Sequence, residues 1–261
     1  MNTFNPKEEK ERIINFIRDW FSENGSKASA VIGISGGKDS TIASALCVEA
    51  LGKDRVIGVL MPNGVQKDID DALRVVKHLG IRYKIVNINN PFNEMLNALT
   101  VNSTFNFEIT DTLKQNLAPR LRMATLYAVA QGVPEGGRVI NTCNASEDYV
   151  GYSTKFGDSA GDIGPLASYT VSEVIQIGDL LDIPKDLVHK TPSDGLCGKT
   201  DEDNLGFTYC VLDNYIKTGI CEDPKVKENI DRRHRLNLHK VSLLPVVERK
   251  LNFFVSLCRN I

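Results

Sequence analysis

Apolar residues in the first segment recur at Ile13, Ile14, Phe16, Ile17, Trp20 and Phe21, with Glu and Lys between them, before Asn24-Gly25. That spacing predicts an amphipathic helix ending at the Asn-Gly pair. The pattern then changes. Ala30-Val31-Ile32-Gly33-Ile34 is a continuous apolar run of buried-strand character; it enters Ser35-Gly36-Gly37, and a helical stretch follows from Asp39 to Leu51. The alternation repeats with Arg55 to Met61 as strand, Asp68 to Leu79 as helix, Tyr83 to Asn87 as strand, Thr112 to Gln131 as a long helix and Arg138 to Asn141 as a fourth strand. Short apolar strands separated by helices predict an α/β fold, a doubly wound open parallel sheet with helices on both faces. Ligands of such sheets sit beyond the carboxyl ends of the strands, so the loops beginning at Ser35, Met61 and Thr142 are expected to converge.

Between Tyr149 and Ile163 the chain is rich in Gly, Ser and Asp and follows neither apolar period. A segment of that length reads as a functional loop. Two more helices are expected, at Val171 to Leu181 and Glu202 to Lys217, with a Pro-Ser-Asp-Gly segment at 192–195 between them. With no internal repeat or Pro/Gly linker in the sequence, the expectation is one domain over 1–261.

Composition narrows the class of protein without naming it. The chain has 261 residues, 42% apolar and 25% charged, and 31 Lys+Arg against 33 Asp+Glu give a net charge of −2. This is a soluble globular composition that argues against a general nucleic-acid binder. There is no apolar run of the ~18 residues a membrane span needs, and the acidic N-terminal stretch is unlike a secretory leader, so a cytoplasmic location without membrane association is expected. The six cysteines, at 47, 143, 197, 210, 221 and 258, form no Cys-x-x-Cys pair and read as reduced packing residues.

The candidate chemistry starts at Ser35-Gly36-Gly37-Lys38-Asp39-Ser40, between a strand and a helix. Successive glycines there let the backbone approach an anion, and the helix dipole favours negative charge. Asp39 would repel a phosphate unless a divalent cation lay between them, which implies Mg²⁺. The alternative is a plain strand-to-helix turn with Asp39 and Ser40 as caps. The spacing fits neither a Walker A loop nor a Gly-x-Gly-x-x-Gly dinucleotide motif.

Ser-Gly-Gly-x-Asp-Ser after a first strand resembles the signature of the PP-loop ATP pyrophosphatases. Further blocks follow in order: Asn116-x-x-x-Arg120-x-Arg122-Met123, Asn141-Thr142-x-Asn144-x-Ser146-Glu147, Gly151-Tyr152-x-Thr154-Lys155-Phe156-Gly157-Asp158 and Asp162-Ile163-x-Pro165-Leu166. Pro192-Ser193-x-x-Leu196, Asp201-Glu202-x-x-Leu205-Gly206 and His239-Lys240 continue them. Together they resemble the ammonia-dependent NAD synthetases over nearly the whole chain. The resemblance implies a ligase that uses ATP to amidate deamido-NAD with ammonia through an acyl adenylate, giving NAD, AMP and pyrophosphate, and it implies a homodimer.

Carried over residue by residue, the resemblance gives ATP to Gly33, Ile34, Ser35, Gly36, Gly37, Lys38, Asp39 and Ser40, together with Thr142 and Ser193. Asp39 and Glu147 would share Mg²⁺. Arg122, Lys155, Asp162, His239 and Lys240 match positions that contact deamido-NAD, and two basic side chains suit its pyrophosphate. Asp158 either holds ammonium and takes its proton or caps the turn. The chain also departs from the family. Many relatives carry a lysine near ATP after Pro165-Leu166, where this sequence reads Tyr169-Thr170-Val171, leaving Lys199 or Lys38 to compensate; and the Arg that often follows His239-Lys240 is Val241 here.

Only roughly 29 residues precede Ala30, fewer than an amidase domain needs, so free ammonia, or ammonia from a separate supplier, is the expected nitrogen source. Two rivals make different demands. A tRNA-modifying PP-loop enzyme would bring a basic RNA-binding face and paired cysteines, and a nucleotide-binding module without catalysis would not require a two-carboxylate metal site.

Overall fold

The computed structural model describes residues 4–65, 69–101, 103–190 and 200–246. Helix α1 (Pro6–Gly25) leads to strand β1 (Ser29–Gly33), α2 (Lys38–Leu51), β2 (Val56–Leu60), α3 (Ile69–Leu79), β3 (Arg82–Ile85), α4 (Asn89–Leu99), α5 (Asp111–Gly132) and β4 (Gly137–Ile140). Helices α6 (Ala145–Val150), α7 (Val171–Gly178), α8 (Lys185–Val188), α9 (Asp201–Leu205), α10 (Tyr209–Thr218) and α11 (Pro224–Asn237) complete the described chain. The strands form one parallel sheet in the order β3-β2-β1-β4. From β1 the chain moves outward to β2 and β3 on one side, then returns to place β4 on the other. The carboxyl ends of β1 and β4 therefore flank the topological switch point, where open sheets of this kind bind ligands.

The strands are apolar on both faces because both faces are covered. Ala30, Ile32 and Leu60 pack against Ile14 and Ile17 of α1, Ile42 and Leu46 of α2, Val75 of α3 and Val174 of α7. The alternate residues Val31, Ile57, Val59 and Val139 face the other way, onto Ala118, Met123, Leu126 and Ala130 of α5. A third cluster lies outside the sheet, where Val150, Val171, Leu205, Leu212 and Ile230 join α6, α7, α9, α10 and α11. This is the expected doubly wound arrangement, with a small helical body beside it. No described helix is long and apolar enough to cross a membrane.

Several sequence expectations are corrected in detail. Phe16, expected on the apolar stripe of α1, is 46% exposed. It sits roughly 110° round the helix from the centre of the Ile13-Ile14-Ile17-Phe21 stripe, at 3.6 residues per turn. The expected helix from Glu202 to Lys217 is two, because Gly206 ends α9 in the left-handed region (φ 82) and Thr208 caps α10 by accepting from the Val211 N–H. The expected Val171 to Leu181 helix stops at Gly178. Tyr149 and Val150, read as the start of a loop, close α6 instead. The expected start at Asp68 and the 192–195 segment lie outside the described residues, as do Ser193 and Lys199.

Helix α5 lies close against β4. A Cβ on Gly137 would come within 2.7 Å of the Ala130 Cα and 2.9 Å of its carbonyl oxygen, both backbone atoms. Gly132, near the end of the same helix, has nothing within 4 Å of such a Cβ. Gly137→Ala is therefore expected to cost about 1–3 kcal/mol by overpacking. Gly132→Ala should be neutral or stabilising by up to about 1 kcal/mol. Urea unfolding of the two variants checks this, and equal stabilities would contradict the close approach.

Candidate active site

The loops beginning at Ser35, Met61 and Thr142 do converge, on a cleft of about 720 Å³ over the ends of β1, β2 and β4. On the β1 side the chain turns at Gly36 (φ 80) into α2, whose N-cap is Gly37. A glycine cap offers no side chain to the first-turn amides, and a helix end of this kind seats anions. The turn is fixed from within: the Ser35 hydroxyl accepts from the Gly37 N–H at 3.1 Å, and the hydroxyls of Ser40 and Thr41 donate to the Gly37 carbonyl at 3.1 and 2.7 Å. Gly33, Ile34, Ser35, Gly37, Lys38, Asp39 and Ser40 all line the cleft, and Thr142 faces them from the end of β4.

The two strand ends are tied together by one buried side chain. Asn144 caps α6, its Oδ1 accepting from the N–H groups of Ser146 and Glu147, both at 3.1 Å. Its Nδ2 donates to Asp39 Oδ1 at 3.2 Å, and its backbone N–H donates to Glu147 Oε2 at 3.3 Å. The carboxylates of Asp39 and Glu147, far apart in the chain, are thus held around one residue. Burial, and then the Asp39 charge, push the Glu147 carboxyl well above the usual carboxylate range, with Lys38 pulling the other way. Lys38 Nζ lies 2.8 Å from Asp39 Oδ2. Its burial alone would lower its pKa, but Asp39, Glu147 and Asp201 outweigh that and hold it raised.

The opposite wall is basic. Arg122 lines the cleft with its Nε donating to the Met61 carbonyl at 3.1 Å, and its burial lowers its pKa. Lys240 donates to the carbonyls of Gly151 and Ser153 at 2.7 and 2.9 Å. Between these cations Asp158 accepts from the Thr154 N–H at 2.9 Å. Asp158 touches the open space of the cleft while being walled on its other sides, and that crowding raises its carboxyl pKa despite the Thr154 bond. Its carbonyl accepts from Asn141 Nδ2 at 2.8 Å, which pins the loop to the end of β4. The Ser153 hydroxyl on this wall is buried without a hydrogen-bond partner among the described residues, so a polar ligand atom could satisfy it.

Three expected site residues stand elsewhere. Asp162 receives the Val139 N–H at 2.7 Å and the Tyr127 hydroxyl at 3.2 Å, extending the sheet beside β4 rather than facing the cleft. Lys155 donates to the His239 carbonyl at 2.7 Å, and His239 is itself exposed, so both lie on the rim. Sequence reasoning gave no role to Asn144 or Asp201, although both fall in motifs it quoted, and it missed Lys190, Asn204, Arg233 and Asn237 in the cleft wall. Arg233 could have been suspected only from the basic run Arg232-Arg233-His234-Arg235.

The NAD synthase family model matches residues 9–253. The chain is 37% identical over 241 residues to the NH(3)-dependent NAD(+) synthetase of Thermococcus sibiricus, covering 92% of this chain and 91% of that protein. Among solved structures it is similar to the NMN synthetase from Francisella tularensis, with a TM-score of 0.84 and 35% identity over 96% of this chain and 100% of that one. It is also similar to an NH3-dependent NAD synthetase from Campylobacter jejuni, with a TM-score of 0.74 and 26% identity over 94% of this chain and 100% of that one.

The raised Glu147 carboxyl has a consequence for stability. Between its unfolded value, near 4.5, and its higher folded value, the native protein holds a proton that the unfolded chain has lost, so stability falls as pH rises through that window. With a chelator present, Glu147→Gln is expected to raise Tm at about pH 7.5 and to leave it nearly unchanged at about pH 4. A variant less stable than the parent at the higher pH would contradict this reading of the pair.

Proposed function

The chain belongs to the NAD synthase family, and from that premise we propose how the residues of its cleft carry the family's reaction. It is a ligase that forms a carbon–nitrogen bond, amidating deamido-NAD with ammonia at the expense of ATP. The observation that carries the reading is the joining of a glycine-rich helix N-terminus to two carboxylates at adjacent strand ends, across a cleft from Arg122 and Lys240.

The Ser35–Ser40 turn and the amino end of α2 bind the ATP phosphates, with Thr142 on the facing strand end. Asp39 and Glu147 are the residues that would hold Mg²⁺, and the donor set fits: two hard carboxylate oxygens close enough to raise Glu147, with phosphate oxygens to complete the shell. When bound, the ion neutralises charge on the departing pyrophosphate. A carboxylate oxygen of the nicotinate attacks the α-phosphorus, the bond to the β-phosphate oxygen breaks, and pyrophosphate leaves. Nitrogen then attacks the acyl carbon, AMP departs, and the nitrogen gives up protons. Positioning and electrostatics supply the acceleration, without a covalent enzyme intermediate.

Arg122 and Lys240 face the deamido-NAD phosphates, with Lys155 and His239 supporting that side from the rim, while Asp162 acts only through the backbone of β4 that it holds. Asp158 sits between the two cations with a carboxyl poised upward in pKa, which suits a group that attracts ammonium and accepts its proton. A homodimer is part of the proposal and rests on the family resemblance; sedimentation velocity tests it, a single species of monomer mass being the contrary result.

One observation favours a second reading. The TM-score of 0.84 belongs to a protein named for a mononucleotide product. Steady-state rates with purified protein, ATP and ammonium chloride distinguish the two substrates, and kcat/KM for deamido-NAD is expected to exceed that for nicotinate mononucleotide by at least about tenfold, from contacts with the additional nucleotide half. The reverse preference would establish the mononucleotide reading. In the same assay Asp158→Asn should lower amide formation most at low pH while leaving deamido-NAD-dependent exchange of pyrophosphate into ATP intact; parallel loss of both would remove the ammonium role.

A further inference from the structure

The start of α7 brings no cation to the cleft. Val171 is 5% exposed and packs into the helical cluster with Leu205 and Leu212, and its backbone N–H donates to the Ser146 hydroxyl at 3.0 Å. A cation from another element occupies the floor of the cleft. Lys38 is 3% exposed, its ammonium is paired with Asp39 at 2.8 Å and lies 5.8 Å over the Tyr209 ring, and Glu147 and Asp201 are close enough to act on it.

Two features of that placement disfavour a cation. Lys38 is the first residue of α2, so its ammonium stands at the positive end of a helix dipole. It has also been taken out of water, which costs a cation heavily unless it is paired. What holds it is the excess of negative charge, since Asp39, Glu147 and Asp201 stand around one ammonium. A divalent cation held by Asp39 and Glu147 would use the same carboxylate that Lys38 now engages. Two positive charges at a few ångströms in a partly dry site repel strongly. Lys38 and the ion therefore compete for Asp39.

We propose that the Lys38 ammonium is an exchangeable counter-cation, which neutralises Asp39 in the metal-free protein and is displaced from it when a divalent ion binds. This inference rests on the assignment of Asp39 and Glu147 as metal ligands. It makes Lys38 a positioning residue that sets the affinity of the metal site. Once displaced, its ammonium remains on the floor of the cleft beside the phosphate turn, where the closed Val171 position supplies no cation.

The test is Mn²⁺ binding to the ligand-free protein, followed by electron paramagnetic resonance, with thermal unfolding in EDTA alongside. Lys38→Met keeps the length and apolar stem of the side chain, and Lys38→Gln provides a second variant should the first fold poorly. Removing the competing ammonium is expected to tighten Mn²⁺ binding by at least about tenfold. In EDTA the same variants should melt lower than the parent, because Asp39 and Glu147 then repel without compensation. Mn²⁺ binding equal to or weaker than that of the parent overturns the proposal. Asp39→Asn separates the two levels: if it binds Mn²⁺ as the parent does, the metal assignment itself fails, whereas lost binding in Asp39→Asn with unchanged binding in the Lys38 variants refutes the counter-cation alone.

Discussion

The carboxamide of Asn144 is the joint on which the cleft depends. One side chain caps α6 with its oxygen and reaches Asp39 with its nitrogen, so the amino end of a helix following β4 is registered against the amino end of the helix following β1. The sheet brings the two strand ends side by side, but adjacency alone would leave two carboxylates to repel and turn apart. A neutral amide can satisfy both without adding charge, and its burial makes each of its bonds costly to lose. The fixed separation of Asp39 and Glu147, the raised Glu147 carboxyl and the pairing of Lys38 follow from that geometry.

The charge of the cleft is divided in a way that suits the chemistry. Asp39, Glu147 and Asp201 gather as a negative pole around Lys38 at the phosphate turn, while Arg122 and Lys240 stand beside Asp158. Asp158 is a single carboxylate set among these cations. A nucleotide entering at the negative pole needs a cation between its phosphates and the acids, and a second phosphate-bearing ligand can meet the basic wall directly. The net charge of −2 conveys none of this, because opposite charges within one cleft cancel in the sum.

The parallel sheet and the convergence of its loops were legible because strand burial on both faces writes itself as continuous apolar runs, and Gly36-Gly37 marks the turn. Asp39 and Glu147 were legible through spaced motifs. Helix α11 was not, since Ile230 is its one buried residue among the described ones and its apolar period is correspondingly faint. The residues it sends to the cleft, Arg233 and Asn237, carried no local signal for the same reason. Asp162 shows the opposite limit. A motif can bring a residue to notice, yet only the fold shows that its oxygens receive the Val139 N–H and the Tyr127 hydroxyl.

In the reaction proposed for this cleft, a carboxylate is activated by transfer of AMP to it. Deamido-NAD labelled with ¹⁸O in the nicotinate carboxylate, turned over with ATP and ammonia, tests it directly by mass spectrometry of the products. Attack of that oxygen on the α-phosphorus predicts one ¹⁸O in the phosphate of AMP and none in pyrophosphate. Label in inorganic phosphate, with ADP as the nucleotide product, would place the attack at the γ-phosphorus and exclude an acyl adenylate.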